Sequence, residues 1–449
     1  MPPQRARRPW RCLLALVAIL AGATAALAQV AAGDLTGIIQ DSNGGAVPGA
    51  TVTVTNVATH QQRVVSSTAD GVYTAASLPP GDYRIDIALA GFTPIRRQGI
   101  RITTGEKARI DFTLAVGDVR EQITVVGDTP VVRTETASLG TVVEHERVVQ
   151  LPLNGRLFIS LASLAPGVAL PPNSPLPRIN GGRPRTNEYL FDGISVLQPE
   201  PGQIAFFPVI DAIQEFKVES NSPAAEFGRF NGGVINLTTK SGSNTFQGDG
   251  FEFLRNQRFN ERNYFQLKSP VKPDYRRNQF GGTLGGPLVK DRTFFFADYQ
   301  GQRQAIAKTV TSVVPTLFQR QGIFTEAIGG RVPVIYDPST TVGSTRAPFP
   351  NNTIPQSQID PVALALLQRY PLPTSSGTSN NYSRTADEID NQDQWDVRID
   401  HWISNADQVF GRLTHFLEDA TPVTAFPDGS GALAANSIAT GPQNSSNWS

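Results

Sequence analysis

Alternation of apolar and polar residues with a period of two is the feature that most restricts how this 449-residue chain can fold. It recurs at residues 50–55, 83–87 and 110–114, and again at residues 280–288 and 395–400. Strands with one buried and one exposed face produce this pattern. Forty glycines and 34 prolines supply turns between such strands. The sequence therefore predicts a mainly β protein.

The N-terminus has the organisation of an export signal. It begins with four arginines, Arg5, Arg7, Arg8 and Arg11. An uncharged apolar run follows over residues 13–27, which is shorter than the roughly 20 residues that a membrane span needs. Residues 26–28 fit the small-x-small rule, so we expect residues 1–28 to be a signal peptide cleaved between Ala28 and Gln29.

Composition excludes several classes of function. The only cysteine, Cys12, lies inside the export signal, so the mature chain is expected to have no disulfide or thiol chemistry. Lys plus Arg and Asp plus Glu both number 39, so no bulk charge favours nucleic acid, and we expect no nucleic-acid partner. No later stretch suits a membrane helix, so a membrane-spanning form must be a closed barrel of strands.

Residues 33–115 are expected to form a small all-β domain, because about seven short strands in roughly 80 residues is the spacing of a sandwich. Four motifs occur in order, at residues 37–41, 44–52, 68–73 and 78–83. In these motifs the segment resembles a carboxypeptidase regulatory-like domain, a prealbumin-like β-sandwich grouped with carbohydrate-binding-like folds. The resemblance implies no peptidase activity. It leaves a spacer module and a glycan-binding module as alternatives.

Residues 116–128 are expected to be a linker that carries an extended segment. The segment consists of Glu121, Gln122, Ile123, Thr124, Val125 and Val126. A β-branched run between flexible ends can pair its backbone with a partner strand. The segment resembles a Ton box, which the periplasmic protein TonB captures by strand addition. Two other interpretations remain open, the last strand of the sandwich and the first strand of the next domain.

Residues 129–240 contain three motifs in a fixed order. They are the Asp192-Gly193 turn, the strand at residues 213–218, and a strand that begins at Gly232-Gly233. Asp-Gly is a tight hairpin signal, and the paired glycines permit either close backbone approach or a positive φ.

The order of these motifs resembles the plug domain of TonB-dependent receptors. Gln214 and Phe216 replace residues that are more commonly acidic and apolar, as in the Oar-like branch. Upstream, residues 148–156 and 161–164 before Pro166-Gly167 predict a short helix pair. The expected fold of this segment is an α+β plug.

Residues 245–449 are expected to form the first strands of a transmembrane antiparallel β-barrel, with strands of about 10 residues. Around a tight turn at residues 290–292, the alternation directs Phe295, Ala297 and Tyr299 to lipid. It directs Asp298 and Gln300 to the lumen. Proline-, asparagine- and serine-rich sequence at residues 303–392 predicts long loops. Alternation alone also fits a soluble sandwich or propeller.

No constellation for catalysis or ligation occurs in the sequence. The four histidines lie far apart without metal-ligand spacing, and there is no nucleophile elbow and no phosphate-binding loop. We therefore expect no enzyme activity, no catalytic residue, no cofactor and no metal.

The resemblance implies a TonB-dependent outer-membrane receptor that takes up an unidentified ligand, with a plug that gates the barrel. Its partners would be TonB, outer-membrane lipid and a small-molecule or glycan ligand. The alternative is a cell-surface carbohydrate-binding or adhesion protein without transport. Receptor barrels have about 22 strands, whereas residues 245–449 can supply at most roughly eight or nine. We therefore expect this chain to be the N-terminal part of a longer protein.

Overall fold

A computed structural model describes most of the chain beyond the export signal. The described residues are 32–117, 123–126, 138–153, 155–171, 174, 176–198, 202, 204–223, 227–228, 230–261, 272–430 and 443–448. The predicted Ala28–Gln29 cleavage site, Glu121 and Gln122 lie outside them. The chain divides into two compact units. The first contains residues up to Thr245 with Gly286–Phe294 and Asp400–Val409, and the second contains Phe246–Gly285, Phe295–Ile399 and Phe410–Ser449.

The first unit begins with a sandwich of two sheets. Its strands are β1 Gly33–Asp41, β2 Thr51–Asn56, β3 Gln62–Ser66, β4 Val72–Leu78, β5 Gly81–Ala88, β6 Ile95–Ile102, β7 Lys107–Arg109, β8 Phe112–Leu114 and β9 Ile123–Val126. One sheet has the order β4-β1-β7, with β8 also pairing with β1, and the other has the order β3-β2-β5-β6-β9. The predicted sandwich is confirmed.

The alternating strands place their apolar residues in one core between the two sheets. Leu35, Val52, Ile85 and Ile102 are fully buried there. Tyr73 joins them, and its hydroxyl donates to the backbone oxygen of Ile110 at 2.8 Å. Burial raises the pKa of the Tyr73 phenol, because the ionised form would lose its hydration.

A central domain at residues 138–240 follows, built on a five-stranded sheet. Its strands are β10 Leu139–Glu144, β11 Val168–Ala169, β12 Arg178–Ile179, β13 Glu188–Phe191, β14 Ile194–Ser195, β15 Ile213–Asn221 and β16 Val234–Thr239. The sheet has the order β10-β15-β16-β13-β14, while β11 and β12 form a separate pair. Helix α1 (His145–Gln150) and a 3-10 helix (Phe158–Leu164) precede Pro166-Gly167, so two short helices occur as predicted, but the first ends at Gln150 and does not extend to residue 156. Another 3-10 helix, Ile210–Ala212, leads into β15.

The remaining strands form a six-stranded sheet in sequence order. They are β17 Gln247–Asn256, β18 Tyr275–Val289, β19 Thr293–Ser312, β20 Tyr382–Trp402, β21 Gln408–Thr421 and β22 Gln443–Trp448. Residues 313–381 connect β19 to β20 and contain short helices, namely α2 Leu317–Arg320, the 3-10 helices Pro338–Thr340, Pro350–Asn352 and Gln356–Gln358, and α3 Pro361–Leu367.

Strand length is where the sequence prediction was wrong. Strands β19 and β20 have 20 and 21 residues, not about 10, and the long connection spans residues 313–381 instead of 303–392. At roughly 3.4 Å per residue, 20 residues reach about 68 Å, far more than a bilayer core. Polar residues therefore continue the pairing beyond the length that lipid requires.

Burial in this sheet follows the predicted parity. Asp298 is buried and Gln300 is half-buried, while Tyr299 is exposed. On β20, Asp396 and Asp400 are buried, whereas Val397 and Ile399 are exposed. On these stretches the exposed face carries apolar side chains and the buried face carries acidic ones, as in the strands of a transmembrane barrel, although Phe294 and Phe296 of β19 also lie on the buried face. Among the helices of the described ranges, none combines the length and apolarity that crossing a membrane would need.

Candidate coupling junction of the sandwich and the central domain

Strand β9 contains the described part of the Ton-box-like segment. Ile123, Thr124, Val125 and Val126 pair in parallel with Ile95 to Gln98 of β6. The structure thus favours one of the three interpretations for the backbone, since the segment is the last strand of a sandwich sheet. Strand β9 is terminal in the order β3-β2-β5-β6-β9, and within the described residues it pairs only with β6. Among the described strands, its second edge therefore has the unpaired backbone groups of an edge strand.

Strand β6, which pairs with β9, continues directly into a loop that contacts the central domain. Its last residue, Ile102, is followed by a docking loop, which we define as residues 103–106. Within the loop, the Glu106 carboxylate accepts hydrogen bonds from the backbone N–H and the hydroxyl of Thr103, at 3.0 and 2.6 Å. Thr104 at the tip is fully buried. The loop conformation is therefore fixed by its own side chains.

The docking loop contacts the central sheet through hydrogen bonds. Thr104 donates its backbone N–H to Glu215 of β15 at 2.5 Å. The hydroxyls of Thr104 and Thr238, on β16, lie 2.7 Å apart. The Lys217 ammonium donates to the backbone oxygen of Gly105 at 3.0 Å. Sandwich and central domain are therefore joined by a buried polar junction.

Strand β15 supplies the charged side of this junction. Glu215, Lys217 and Glu219 recur every second residue, so they share one face of the strand. Lys217 forms an ion pair with Glu219 at 2.7 Å, with side chains only 10% and 7% exposed. Burial raises the pKa of Glu215, while its hydrogen bonds from Thr104 oppose that rise.

A cavity of about 220 Å³ lies beside the junction. It is lined by residues 103–107, by Ser138, Leu139, Gly140 and Val142 at the start of β10, and by Lys217. The docking loop therefore lies beside β10, the edge strand of the central sheet, as well as on β15 and β16.

The sandwich also contacts a hairpin turn within the same compact unit. Asp291, between β18 and β19, accepts a hydrogen bond from Asn244 at 2.7 Å and lies 3.0 Å from Nδ1 of His60. Gln61 donates to its backbone oxygen. His60 and Asp291 are both well exposed. Exposed contacts of this kind are weak, so the junction with β15 is the stronger attachment.

Asp192 and Gly193 form the predicted hairpin turn between β13 and β14, with φ of 50° and 85°. The Asp192 carboxylate is buried and accepts the backbone N–H and hydroxyl of Thr239, at 2.9 and 2.7 Å. It therefore ties the turn to the end of β16. The sequence predicted the turn but not this second role.

Gly232 and Gly233 precede β16 at its opposite end. Neither has a positive φ, so of the two proposed reasons for glycine only close approach applies. A Cβ on Gly232 would lie 2.0 Å from Oδ1 of Asn187, and one on Gly233 would lie 2.5 Å from the backbone oxygen of Glu219. Asn187 in turn accepts the Gly233 N–H at 3.1 Å. The glycines thus allow β16 to pack tightly between its neighbours.

The sequence predictions did not include Thr104, Glu215, Lys217, Glu219 or Thr238. One signal was present, since the charged residues Glu215, Lys217 and Glu219 alternate with the apolar residues Phe216 and Val218. Nothing local identified the docking loop as their partner. Within the residues that the structure describes, no group of three or more His, Cys, Asp or Glu side chains could hold a metal ion.

Comparison with known proteins is consistent with this arrangement. Residues 34–115 match the carboxypeptidase regulatory-like domain, and residues 238–449 match the outer membrane beta barrel domain. The TonB-dependent transporter Oar of Myxococcus xanthus is 31% identical over 264 residues, covering 55% of this chain and 24% of Oar. The chain thus spans about a quarter of the curated relative that it matches.

Two solved structures are similar over a longer part of the chain. The outer membrane transporter YddB from Escherichia coli has 14% identity and a TM-score of 0.38, covering 63% of this chain and 33% of YddB. A mutant of the ferric enterobactin receptor PfeA from Pseudomonas aeruginosa has 14% identity and a TM-score of 0.35, with the same coverage. On the sequence matches, the chain is similar to the TonB-dependent transporter Oar, and it combines a match to a carboxypeptidase regulatory-like domain with a following match to an outer membrane beta barrel domain.

Proposed function

We propose that this chain acts in a TonB-dependent outer-membrane receptor, with residues 121–126 as the TonB-coupling segment and the central domain as the plug. Homology to a TonB-dependent transporter supports the outer-membrane transporter role. The observation that carries the coupling assignment is the position of β9 at the edge of its sheet. A free strand edge is what a partner strand needs for addition.

In this mechanism a ligand bound outside the cell makes the coupling segment available in the periplasm. TonB adds a strand to it and pulls, using the energy of the inner membrane, and the plug yields. Catalysis plays no part in this mechanism.

The direct test is binding of the purified periplasmic domain of TonB to the full chain in detergent. Adjacent residues of a strand direct their N–H groups to opposite edges. Of Thr124→Pro and Val125→Pro, one therefore removes a donor from the open edge, and that variant should lose binding at least tenfold. Thr124→Val keeps every backbone donor and should bind like the wild type.

The outcome separates this proposal from the adhesion alternative. Absence of TonB binding to the wild type, in parallel with binding to a known receptor, would rule the coupling assignment out. Equal binding by wild type and both proline variants would place the TonB site elsewhere in the chain. Fractionation of cells that express the full chain checks the outer-membrane location independently.

A further inference from the structure

We infer that the sandwich transmits the pull of TonB to the plug, because TonB adds its strand to the open edge of β9 while β9 stays paired with β6. This inference rests on the proposed function. It assigns the sandwich a mechanical role in place of a passive or glycan-binding one. The partner is an extended peptide strand of TonB. It docks on the unpaired edge of β9 in the five-stranded sheet of the sandwich.

Strand β9 has separate edges for two partners. One edge is paired with residues 95–98 of β6. Within the described strands, the other edge has no partner. A TonB strand therefore needs no prior release of β9. It would extend the order β3-β2-β5-β6-β9 by one strand.

Strand β6 connects β9 to the docking loop. Its first half pairs with β9, and its last residue, Ile102, continues into the docking loop. A strand held within a sheet is already close to fully extended, so it transmits a pull with little lengthening. Displacement of β9 therefore displaces Thr104.

The docking loop is attached to the strands of the plug that would have to move. Thr104 contacts Glu215 and Thr238, and Gly105 contacts Lys217. These residues lie on β15 and β16, which occupy the middle of the central sheet. The exposed contacts at Asp291 are weaker and would separate first.

The two routes from β9 to the central domain differ in length along the chain. The covalent route from Val126 to Leu139 is 13 residues long and can extend up to about 40 Å. The hydrogen-bonded route runs from Gln98 of β6 to Thr104 over six residues, most of them already extended in the strand, so it bears the load first.

The first experiment asks whether β9 can stay in place. Gln98 and Val126 are in register, and the mature chain has no cysteine of its own, so Gln98→Cys with Val126→Cys gives a single disulfide across β6 and β9. We expect the TonB domain to bind the oxidised and reduced forms within twofold. Loss of binding on oxidation alone would overturn the inference, while the proposed function would survive. If the TonB domain binds neither the wild type nor the oxidised or reduced variant, the proposed function itself is wrong.

The second experiment measures transmission. The barrel domain is anchored, and the bound TonB domain is pulled in a single-molecule force instrument. Thr104→Cys with Thr238→Cys places two sulfurs where hydroxyls lie 2.7 Å apart, so oxidation fixes the junction and reduction frees it. We expect wild type and the oxidised form to unfold the plug without prior lengthening.

A weakened junction is the matched comparison. Thr104→Val with Thr238→Val keeps side-chain shape but removes both hydroxyls, and it should lengthen by up to about 40 Å before the plug yields. If wild type lengthens by the same amount as this variant, the pull travels through residues 127–138 and the inference is wrong. Unchanged TonB binding by the valine variant verifies that its sandwich is folded.

Discussion

Thr104 of the sandwich donates its backbone N–H to Glu215 of β15 at 2.5 Å, and neither residue is more than 1% exposed. A carboxylate removed from water needs such donors, because an uncompensated buried charge is costly. The two domains are therefore joined at a point that is sensitive to charge.

The buried carboxyl group of Glu215 should make the free energy of unfolding fall as the pH rises. Because burial raises its pKa, the folded protein holds this proton more tightly than the unfolded chain does. The stabilisation is complete below the ordinary carboxyl pKa of about 4.3 and is lost as pH rises through the raised value. Glu215→Gln cannot ionise, so it should flatten this dependence and have a higher free energy of unfolding than the wild type at neutral pH.

Urea unfolding of the full chain, from about pH 4 to about pH 8, measures this effect. Glu146→Gln, an exposed carboxyl on α1, is the control and should leave the pH profile as it is in the wild type. A profile of Glu215→Gln that runs parallel to the wild type would show that Glu215 does not titrate in this window.

Lys217 and Glu219 should be strongly coupled. Lys217→Met retains the length of the side chain but leaves Glu219 as a buried charge without its ion-pair partner, and should cost about 3 to 5 kcal/mol. Adding Glu219→Leu removes that charge and should recover most of the loss. A double-mutant cycle from chemical unfolding measures the coupling, and additive losses would contradict it.

The paired glycines should not tolerate even one methyl group. Gly232→Ala and Gly233→Ala each place a Cβ against Asn187 or against the Glu219 backbone, and we expect each to lower the free energy of unfolding by about 1 to 3 kcal/mol. Gly228→Ala is the matched control, since no atom of the other described residues lies within 4 Å of its Cβ. A loss for Gly228→Ala equal to the others would point to backbone entropy instead of close packing.

Trp395 should face lipid. It shares strand parity with exposed Val397 and Ile399, opposite to buried Asp396. In a variant with Trp10→Phe, Trp402→Phe and Trp448→Phe, we expect fluorescence of Trp395 to be quenched by vesicles with brominated acyl chains. If aqueous iodide quenches the fluorescence and the brominated lipid does not, this face of β20 is exposed to water.

Local chemistry explains what the sequence could predict. Asp192-Gly193 forms its turn because these two residue types tolerate positive φ, which needs no knowledge of the rest of the chain. The faces of Asp396 and Val397 follow from the two-residue period alone. Both properties are settled within a few residues.

Long-range partners explain what the sequence could not predict. Thr104 and Glu215 are 111 positions apart, and a threonine in a loop gives no local sign of its acceptor. Likewise, Ile123 to Val126 had three interpretations because an apolar β-branched run suits any strand edge. Only the sheet order identified β6 as the partner. The lengths of β19 and β20 were underestimated because their polar ends carry no apolar alternation.

The connection between β19 and β20 has a consequence for how this family can diverge. One residue inserted within either strand reverses every side chain beyond it, exchanging buried Asp396 for exposed Val397. The same insertion within residues 313–381 leaves both strands in register. Homologous chains should therefore differ in length mainly in this connection, and a chain with an odd insertion inside β20 should carry a compensating bulge or deletion in the same strand.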